Sequence, residues 1–248
     1  MAASQLLAEP LLSERLPQYS VWQLFTQSAK LADERDILFG IGVENRFVKN
    51  LNDATLAAVL PHRSGTWLVN YTYDGYSAYR RHQAAIGLAK RFTPYCSYAL
   101  RTSFIAERYV NERTKRGYLQ LHHSCVITLS KQVDVLTTFS HYIRLSYNQR
   151  EDPPLSHLVT LEMDYHPTRQ LRFCLQMQNE SFYKPILRLK AGYTILKNLT
   201  LLGAMQHDGR LGVGFIFKTP PISYTFQTEY TAIIGNITSL SVDWRINP

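Results

Sequence analysis

The strongest constraint on this chain is a series of short segments in which apolar and polar residues alternate. From Ile37 onward, segments of about ten residues with a two-residue hydrophobic period are separated by short stretches that favour turns. In residues 157–165, HLVTLEMDY, apolar side chains from Val159 to Tyr165 alternate with polar ones. Because successive side chains of a strand point to opposite faces, this pattern predicts strands with one apolar and one polar face.

The pattern predicts about fourteen strands, an even number as in bacterial membrane barrels. The connections between them are short and rich in turn residues, as at Asp74-Gly75, Asp208-Gly209 and Pro220-Pro221. Parallel pairing would need crossover connections of about a dozen residues or more, so we expect a meandering antiparallel sheet. We place the strands near residues 37–47, 53–61, 66–74, 82–91, 95–107, 116–130, 132–147, 156–166, 169–179, 185–195, 198–207, 210–218, 221–231 and 236–246.

Two all-β architectures fit these strands: a membrane barrel whose apolar face meets lipid, and a soluble sandwich or lipocalin-like barrel whose apolar face points inward. No apolar run approaches the roughly 18 to 20 residues of a spanning helix, so a membrane protein of this sequence would cross with strands. A soluble barrel of about fourteen strands would have an oversized interior to fill. We therefore predict a transmembrane antiparallel up-and-down β-barrel of the bacterial outer-membrane type.

The candidate functional residues are those expected to line or plug the lumen. The polar faces of the strands carry charges of both signs in mid-strand, which suit a wet or plugged lumen with Arg–carboxylate pairs. Two aromatic residues before the first strand are candidates for filling it. Together the candidates are Trp22, Phe25, Glu44, Arg46, Arg101, Glu162, Asp164, Arg172, Arg188 and Glu229.

The excess of basic residues favours an anionic lipid partner over nucleic acid. The chain has 27 Lys and Arg against 19 Asp and Glu, a formal net charge of +8. Many of the basic residues fall at or near predicted turns, as expected for charges that flank a membrane, and no basic helix or nucleic-acid module is recognisable. We expect contact with outer-membrane lipid and lipopolysaccharide, and no binding of nucleic acid.

Neither a metal site nor an enzyme active site is predicted. Cys96, Cys125 and Cys174 are odd in number and widely spaced, which indicates neither a disulfide framework nor a zinc site. The adjacent His122 and His123 would face opposite sides of a strand, and no Ser/His/Asp arrangement is recognisable. We therefore predict no cofactor and no catalytic residues.

The N-terminal part differs from the rest of the chain, so we divide the sequence into an N-terminal segment, residues 1–36, and a barrel, residues 37–248. Apolar residues in 19–31 lie at mostly helical spacing and predict a short amphipathic helix that plugs the lumen or caps it from the periplasm. Residues 1–18 do not have the pattern of an export signal. Either a signal has been removed before this sequence begins, or the membrane interpretation is wrong.

Three stretches carry a family resemblance: SVWQLFTQSAKLA, FGIGVENRF and LAAVLPHRSGTWLVNYTYDGYSAYRRHQAAIGLAKRF. Together they span roughly residues 20–92 and resemble the PorV/PorQ family of Bacteroidetes outer-membrane proteins, fourteen-stranded relatives of the FadL fatty-acid transporters. Family members commonly carry Asn-Pro-Ala-Gly-Leu-Ala near the N-terminus. This chain has Gln-Ser-Ala-Lys-Leu-Ala at residues 27–32, which differs at three positions. Ser28 in place of Pro and Lys30 in place of Gly put in doubt whether that turn, and a gate built on it, is retained.

The resemblance implies two functions. PorV and PorQ serve the type IX secretion system as partners of secreted proteins, whereas FadL relatives move hydrophobic molecules through a barrel gated by an N-terminal hatch. Because the predicted loops are short and the lumen polar, we expect an accessory or scaffold barrel bound to other secretion- or assembly-complex proteins. The alternative is a FadL-like transporter of hydrophobic small molecules, which would need an apolar pocket in the lumen.

Overall fold

A computed structural model describes residues 21–22, 25, 27–46, 51–76, 79–109, 115–145, 157–181, 183–231 and 235–246. These residues form one short 3-10 helix, Ser28–Asp33, followed by fourteen strands. The strands are β1 Ile37–Arg46, β2 Leu51–His62, β3 Gly65–Tyr76, β4 Tyr79–Thr93, β5 Cys96–Tyr109, β6 Lys115–Ser130, β7 Val133–Arg144, β8 His157–Tyr165, β9 Leu171–Glu180, β10 Ile186–Leu196, β11 Leu199–Gln206, β12 Leu211–Thr219, β13 Ile222–Thr231 and β14 Gly235–Ile246.

The strands close into a single antiparallel barrel. Each strand pairs with its neighbours in sequence, and β1 pairs with β14, with Ile37 opposite Ile246 and Arg46 opposite Ile237. Closure leaves no strand edge, so every strand pairs its backbone groups on both sides, as a sheet in lipid requires. The predicted closed antiparallel barrel of about fourteen strands is confirmed.

The apolar face of the sheet points outward and the polar face points inward. On the outer face, Ile41 is 56% exposed and Leu129 is 65% exposed. On the inner face, Arg188 is 2% exposed and Asp164 is fully buried. This arrangement is the reverse of a soluble sandwich or lipocalin-like barrel, so that alternative is wrong. It is the arrangement of a barrel whose outer surface meets lipid.

The two ends of the barrel differ in the length of their connections. At one end, the turn end, most connections have two residues: they are 63–64, 94–95, 131–132, 166–170, 197–198 and 220–221. At the other end, the loop end, they are 47–50, 77–78, 110–114, 145–156, 181–185, 207–210 and 232–234. The chain enters β1 and leaves β14 at the turn end. Short turns face the periplasm in bacterial barrels, which orients the loop end outward.

The helix predicted over residues 19–31 lies in part outside the described residues. Within the described part, Phe25 is helical, and a separate helix of 3-10 geometry begins at Ser28 and ends at Asp33. Residues 19, 20, 23, 24 and 26 lie outside the described residues. Among the helices of the described residues, none is long and apolar enough to cross a membrane.

Candidate functional site

The candidate site lies inside the barrel, where the residues that precede β1 pack against the inner wall. From here on, the N-terminal segment means the described residues of that part of the chain, 21–22, 25 and 27–36. Its helix contacts β3, β4, β5 and β6. The inner wall at the turn end is apolar at this place, although the inner face elsewhere is mostly polar. The buried apolar cluster consists of Val21, Ala29 and Leu31 of the segment with Leu38, Ala57, Val59, Leu68, Ala89, Ala99, Val126 and Leu136 of the wall.

A pair of glycines on the inner face of β1 makes room for the start of the segment. A Cβ atom on Gly40 would lie 2.3 Å from Val21 Cγ1 and 2.9 Å from Trp22 Cζ2. A Cβ atom on Gly42 would lie 3.0 Å from Trp22 Cη2. The indole therefore occupies a shallow slot in the wall that exists because two successive inward positions carry no side chain.

Aromatic and cationic side chains extend this contact across the lumen. The rings of Trp22 and Phe25 are stacked, with centroids 6.2 Å apart. The guanidinium carbon of Arg101, on the inner face of β5, lies 5.4 Å from the centroid of the Phe25 ring. A cation over an aromatic face is attracted by the ring quadrupole, more strongly where water is excluded. Phe25 thus packs against the apolar cluster and also contacts a buried charge.

The middle of the segment is tied to the wall of β7 and β8 by buried polar contacts. Lys30 Nζ lies 2.5 Å from Asp164 Oδ2 and 3.2 Å from Asp134 Oδ2. The Gln27 amide donates a hydrogen bond to Glu162. Removing one partner of a buried ion pair leaves a desolvated charge, which is strongly destabilising. These contacts therefore hold the segment in a defined place.

The end of the segment is tied to β14. Arg245 Nη1 lies 3.2 Å from Glu34 Oε1 and 2.5 Å from Asp36 Oδ2. Farther around the barrel, Arg91 Nη1 lies 3.0 Å from Asp33 Oδ1, but this pair is largely exposed and contributes little. The segment is thus fixed at β7 and β8 on one side and at β14 on the other.

Toward the loop end the inner wall carries a polar network instead of an apolar surface. Arg81 Nε lies 3.9 Å from Asp74 Oδ2 and 3.8 Å from Glu107 Oε1. On the far side of the barrel, Arg188 Nε donates a hydrogen bond of 2.6 Å to Gln206 Oε1. The lumen therefore has two zones, an apolar zone under the N-terminal segment and a charged zone above it.

The structure brings together six of the ten predicted site residues. Trp22 and Phe25 lie in the segment. Arg101 contacts Phe25, Glu162 contacts Gln27, and Asp164 contacts both Lys30 and Arg172. Arg172 Nη2 lies 3.2 Å from the same Asp164 oxygen that binds Lys30.

The other four predicted residues are elsewhere. Arg188 and Glu229 are buried on the inner face of β10 and β13, and Glu44 is half-buried on β1. The side chain of Arg46 lies outside the described residues. The functional roles of all ten residues stay predictions.

Sequence reasoning missed the residues that fix the segment at β7 and β8, namely Gln27, Lys30 and Asp134, and the slot at Gly40. Two signals were present. Lys30 interrupts a mostly apolar stretch, and Gly40 and Gly42 occupy successive positions on one face of a strand. A strand glycine often marks a close approach by another part of the chain.

One group of side chains on the inner wall has donor atoms suited to a cation. Donor atoms of Glu162, Asp164 and Cys174 lie within 4.8 Å of one another. Asp164 already contacts the ammonium of Lys30 and the guanidinium of Arg172. Because Lys30 and Arg172 already neutralise the negative charge of Asp164, we assign no metal to this group.

Comparison with solved structures identifies the type of barrel. The toluene transporter TodX of Pseudomonas putida matches with a TM-score of 0.69 and 6% identity, over 93% of this chain and 95% of that one. The toluene transporter TbuX of Ralstonia pickettii matches with a TM-score of 0.65 and 7% identity, over 92% and 94%. The fold is that of bacterial outer-membrane channels.

A third neighbour, the outer membrane protein Omp33 of Acinetobacter baumannii, matches with a TM-score of 0.55 and 11% identity, over 87% of this chain and 100% of that one. No protein-family model and no curated protein sequence matches the chain. These neighbours are outer-membrane proteins and transporters and not enzymes, and they show the fold that this chain shares with them. Several of the matching structures, among them TodX, TbuX and the monoaromatic hydrocarbon channel CymD, are hydrocarbon channels or transporters, and nothing in the comparisons supports PorV or PorQ specifically.

Proposed function

We propose that this protein is a gated outer-membrane channel for small apolar molecules, and that the N-terminal segment is its gate. The observation that carries the proposal is the apolar zone of the lumen, which the segment covers with Val21 and Leu31. The predicted FadL-like alternative required an apolar pocket in the lumen. The transporters TodX and TbuX share the fold, which favours this function over the secretion scaffold.

The chemistry of the covered wall favours an apolar solute. If the segment moved, it would uncover wall residues such as Leu38, Val59 and Leu68, which are now shielded from water. Burying apolar surface is favourable by about 25 cal/mol per Å². An apolar molecule that replaced the segment would bury the same wall surface and gain the same free energy per unit area. A polar solute would gain no binding free energy from contact with this apolar wall and would bind in the charged zone instead.

The contacts of the segment are those of a reversible gate. Lys30 and Arg245 hold it through ion pairs, and Trp22 rests in a slot without interlocking side chains on the β1 face. Each contact can be broken singly at a cost of a few kcal/mol, which is small enough for a ligand to offset. The polar zone above the segment would then serve as the aqueous entrance from the loop end.

Uptake of an apolar fluorescent probe tests the proposal. N-phenyl-1-naphthylamine is excluded by an intact outer membrane and fluoresces when it enters the cell envelope. Cells of a Gram-negative host that express the wild-type barrel should take it up faster than cells with the empty vector. The Lys30→Met variant should take it up faster still, and the exposed turn variant Lys197→Met should match the wild type.

Equal uptake by all four strains would contradict the channel function. If the wild-type barrel gave no uptake and instead co-purified from native membranes with a larger outer-membrane complex, the accessory role would replace it. Recovery of the barrel alone, with bound apolar molecules, would favour the channel.

A further inference from the structure

A row of basic residues crosses the outer surface at the loop end. On the outer face of β4 and β5, Arg80 and Arg108 are direct cross-strand partners, and both are exposed. The next residue across the ladder from Arg108 is Lys115 at the start of β6. Three adjacent strands therefore place a basic residue at the same height.

This arrangement is unfavourable in isolation. Side chains directly opposite on neighbouring antiparallel strands have Cβ atoms about 4.5–5.5 Å apart, and like charges at that separation repel. Neither Arg80 nor Arg108 makes an ion pair or hydrogen bond with another residue that the structure describes. An anion between the two guanidinium groups would relieve the repulsion.

The row lies at the expected boundary of the membrane. On the outer face of β4, the charged residues Arg80 and Lys90 are ten residues apart, and the outward positions between them are uncharged apart from His82. A tilted strand needs about 9–11 residues to cross the hydrocarbon core. On β5, no outward position from Cys96 to Ala106 is charged. Arg80 and Arg108 are therefore the first outward charges above the hydrocarbon.

The geometry of the row suits a phosphate group. An arginine guanidinium binds phosphate through two parallel N–H···O hydrogen bonds, so a pair of arginines can enclose one phosphate from both sides. Below Arg108 the outward positions are Ala106 and, on β6, Gly117, which leave room beneath that guanidinium group, whereas His82 lies below Arg80. A phosphate carried on a bulky head group with acyl chains below fits this shape.

We propose that Arg80 and Arg108 form a binding site for a phosphate of lipid A, the phosphorylated glycolipid of the outer leaflet. The loop end faces outward in the orientation given by the short turns. Lipid A presents its phosphates at the top of the acyl chains, which is the height of the row. This site is independent of the gate in the lumen and does not rest on the proposed function.

Native mass spectrometry of the detergent-purified barrel tests the site. The probes are bisphosphorylated lipid A, lipid A stripped of both phosphates, phosphatidylglycerol and inorganic phosphate. The wild-type barrel should retain bisphosphorylated lipid A at least tenfold better than the other three. The double variant Arg80→Gln/Arg108→Gln should lose that preference, and Arg80→Lys/Arg108→Lys should keep part of it.

The matched control is Lys131→Gln/Arg169→Gln, which removes two exposed basic residues at the turn end. It should bind lipid A like the wild type. Heat-modifiable migration on a gel checks that each variant is folded. Equal loss of lipid A from both double variants, or equal retention of phosphatidylglycerol and lipid A by the wild type, would overturn the site. Binding of inorganic phosphate alone would also overturn it.

Discussion

Replacing Gly40 by alanine should release the N-terminal segment from the wall of the barrel. The added Cβ atom would lie 2.3 Å from Val21 Cγ1 and 2.9 Å from Trp22 Cζ2, distances at which atoms overlap. The β1 backbone is fixed by pairing on both sides, so the segment must move. Inserting a methyl group into a packed site typically costs about 1–3 kcal/mol. At about 2 kcal/mol, the ratio of closed to open segment falls about thirtyfold.

Labelling of Cys174 reports on this change. Cys174 is 4% exposed on the inner face of β9, directly opposite Asp164, which binds Lys30 of the segment. In a background with Cys96→Ser and Cys125→Ser, it is the one thiol of the chain. We expect a membrane-impermeant maleimide to reach it only when the segment is displaced. If opening and closing are faster than labelling, the labelling rate follows the open population and should rise about thirtyfold.

A second glycine gives a matched control for this experiment. A Cβ atom on Gly203 of β11 would have no atom within 4 Å, so Gly203→Ala makes the same chemical change in open space. Its labelling rate should stay within twofold of the parent. If Gly40→Ala labelled no faster than Gly203→Ala while both migrated as folded barrels, the segment would not shield Cys174, and the reasoning from the glycine slot would be wrong.

Three further variants have defined outcomes. Lys30→Met should raise Cys174 labelling about fivefold or more, because Asp134 and Asp164 lose a buried cation worth about 1–3 kcal/mol; urea-dependent labelling measures the difference. Arg245→Gln should raise labelling less than Lys30→Met, because its pairs are partly exposed, and an equal effect would contradict that ranking. Leu161→Lys, in the middle of the outer face of β8, should lower the free energy of unfolding in lipid vesicles by about 2–4 kcal/mol; no change would argue against lipid contact there.

The barrel itself was predictable because strand periodicity is a local property. Residues 159–165 alternate without interruption, and the predicted strand 156–166 corresponds to β8, His157–Tyr165. The alternation within each strand shows which residues lie on its apolar face and which on its polar face. Short turns then place consecutive strands side by side, so that they pair. Closure followed from the strand number together with an apolar outer face that must avoid water.

The N-terminal segment was less predictable because its order comes from distant partners. Its apolar residues are spaced like those of an amphipathic helix, but they pack against a concave wall, and the described helix is a short 3-10 turn at Ser28–Asp33. Lys30 contacts Asp164, 134 residues away, and Arg245 contacts Glu34, 211 residues away. Periodicity identifies the face on which each charge lies, but it does not specify which charges meet across the lumen.

The most direct test of the account is the ionic conductance of the purified full-length barrel in a planar lipid bilayer. We expect the wild-type protein to be closed for most of the recording, because in the proposed mechanism the N-terminal segment, which packs against the apolar zone of the wall, closes the lumen. The Lys30→Met/Arg245→Gln variant, which lacks both sets of ion pairs, should open at least tenfold more often. A wild-type barrel that conducts steadily, with an open fraction unchanged in the double variant, would contradict the claim that this segment is the gate.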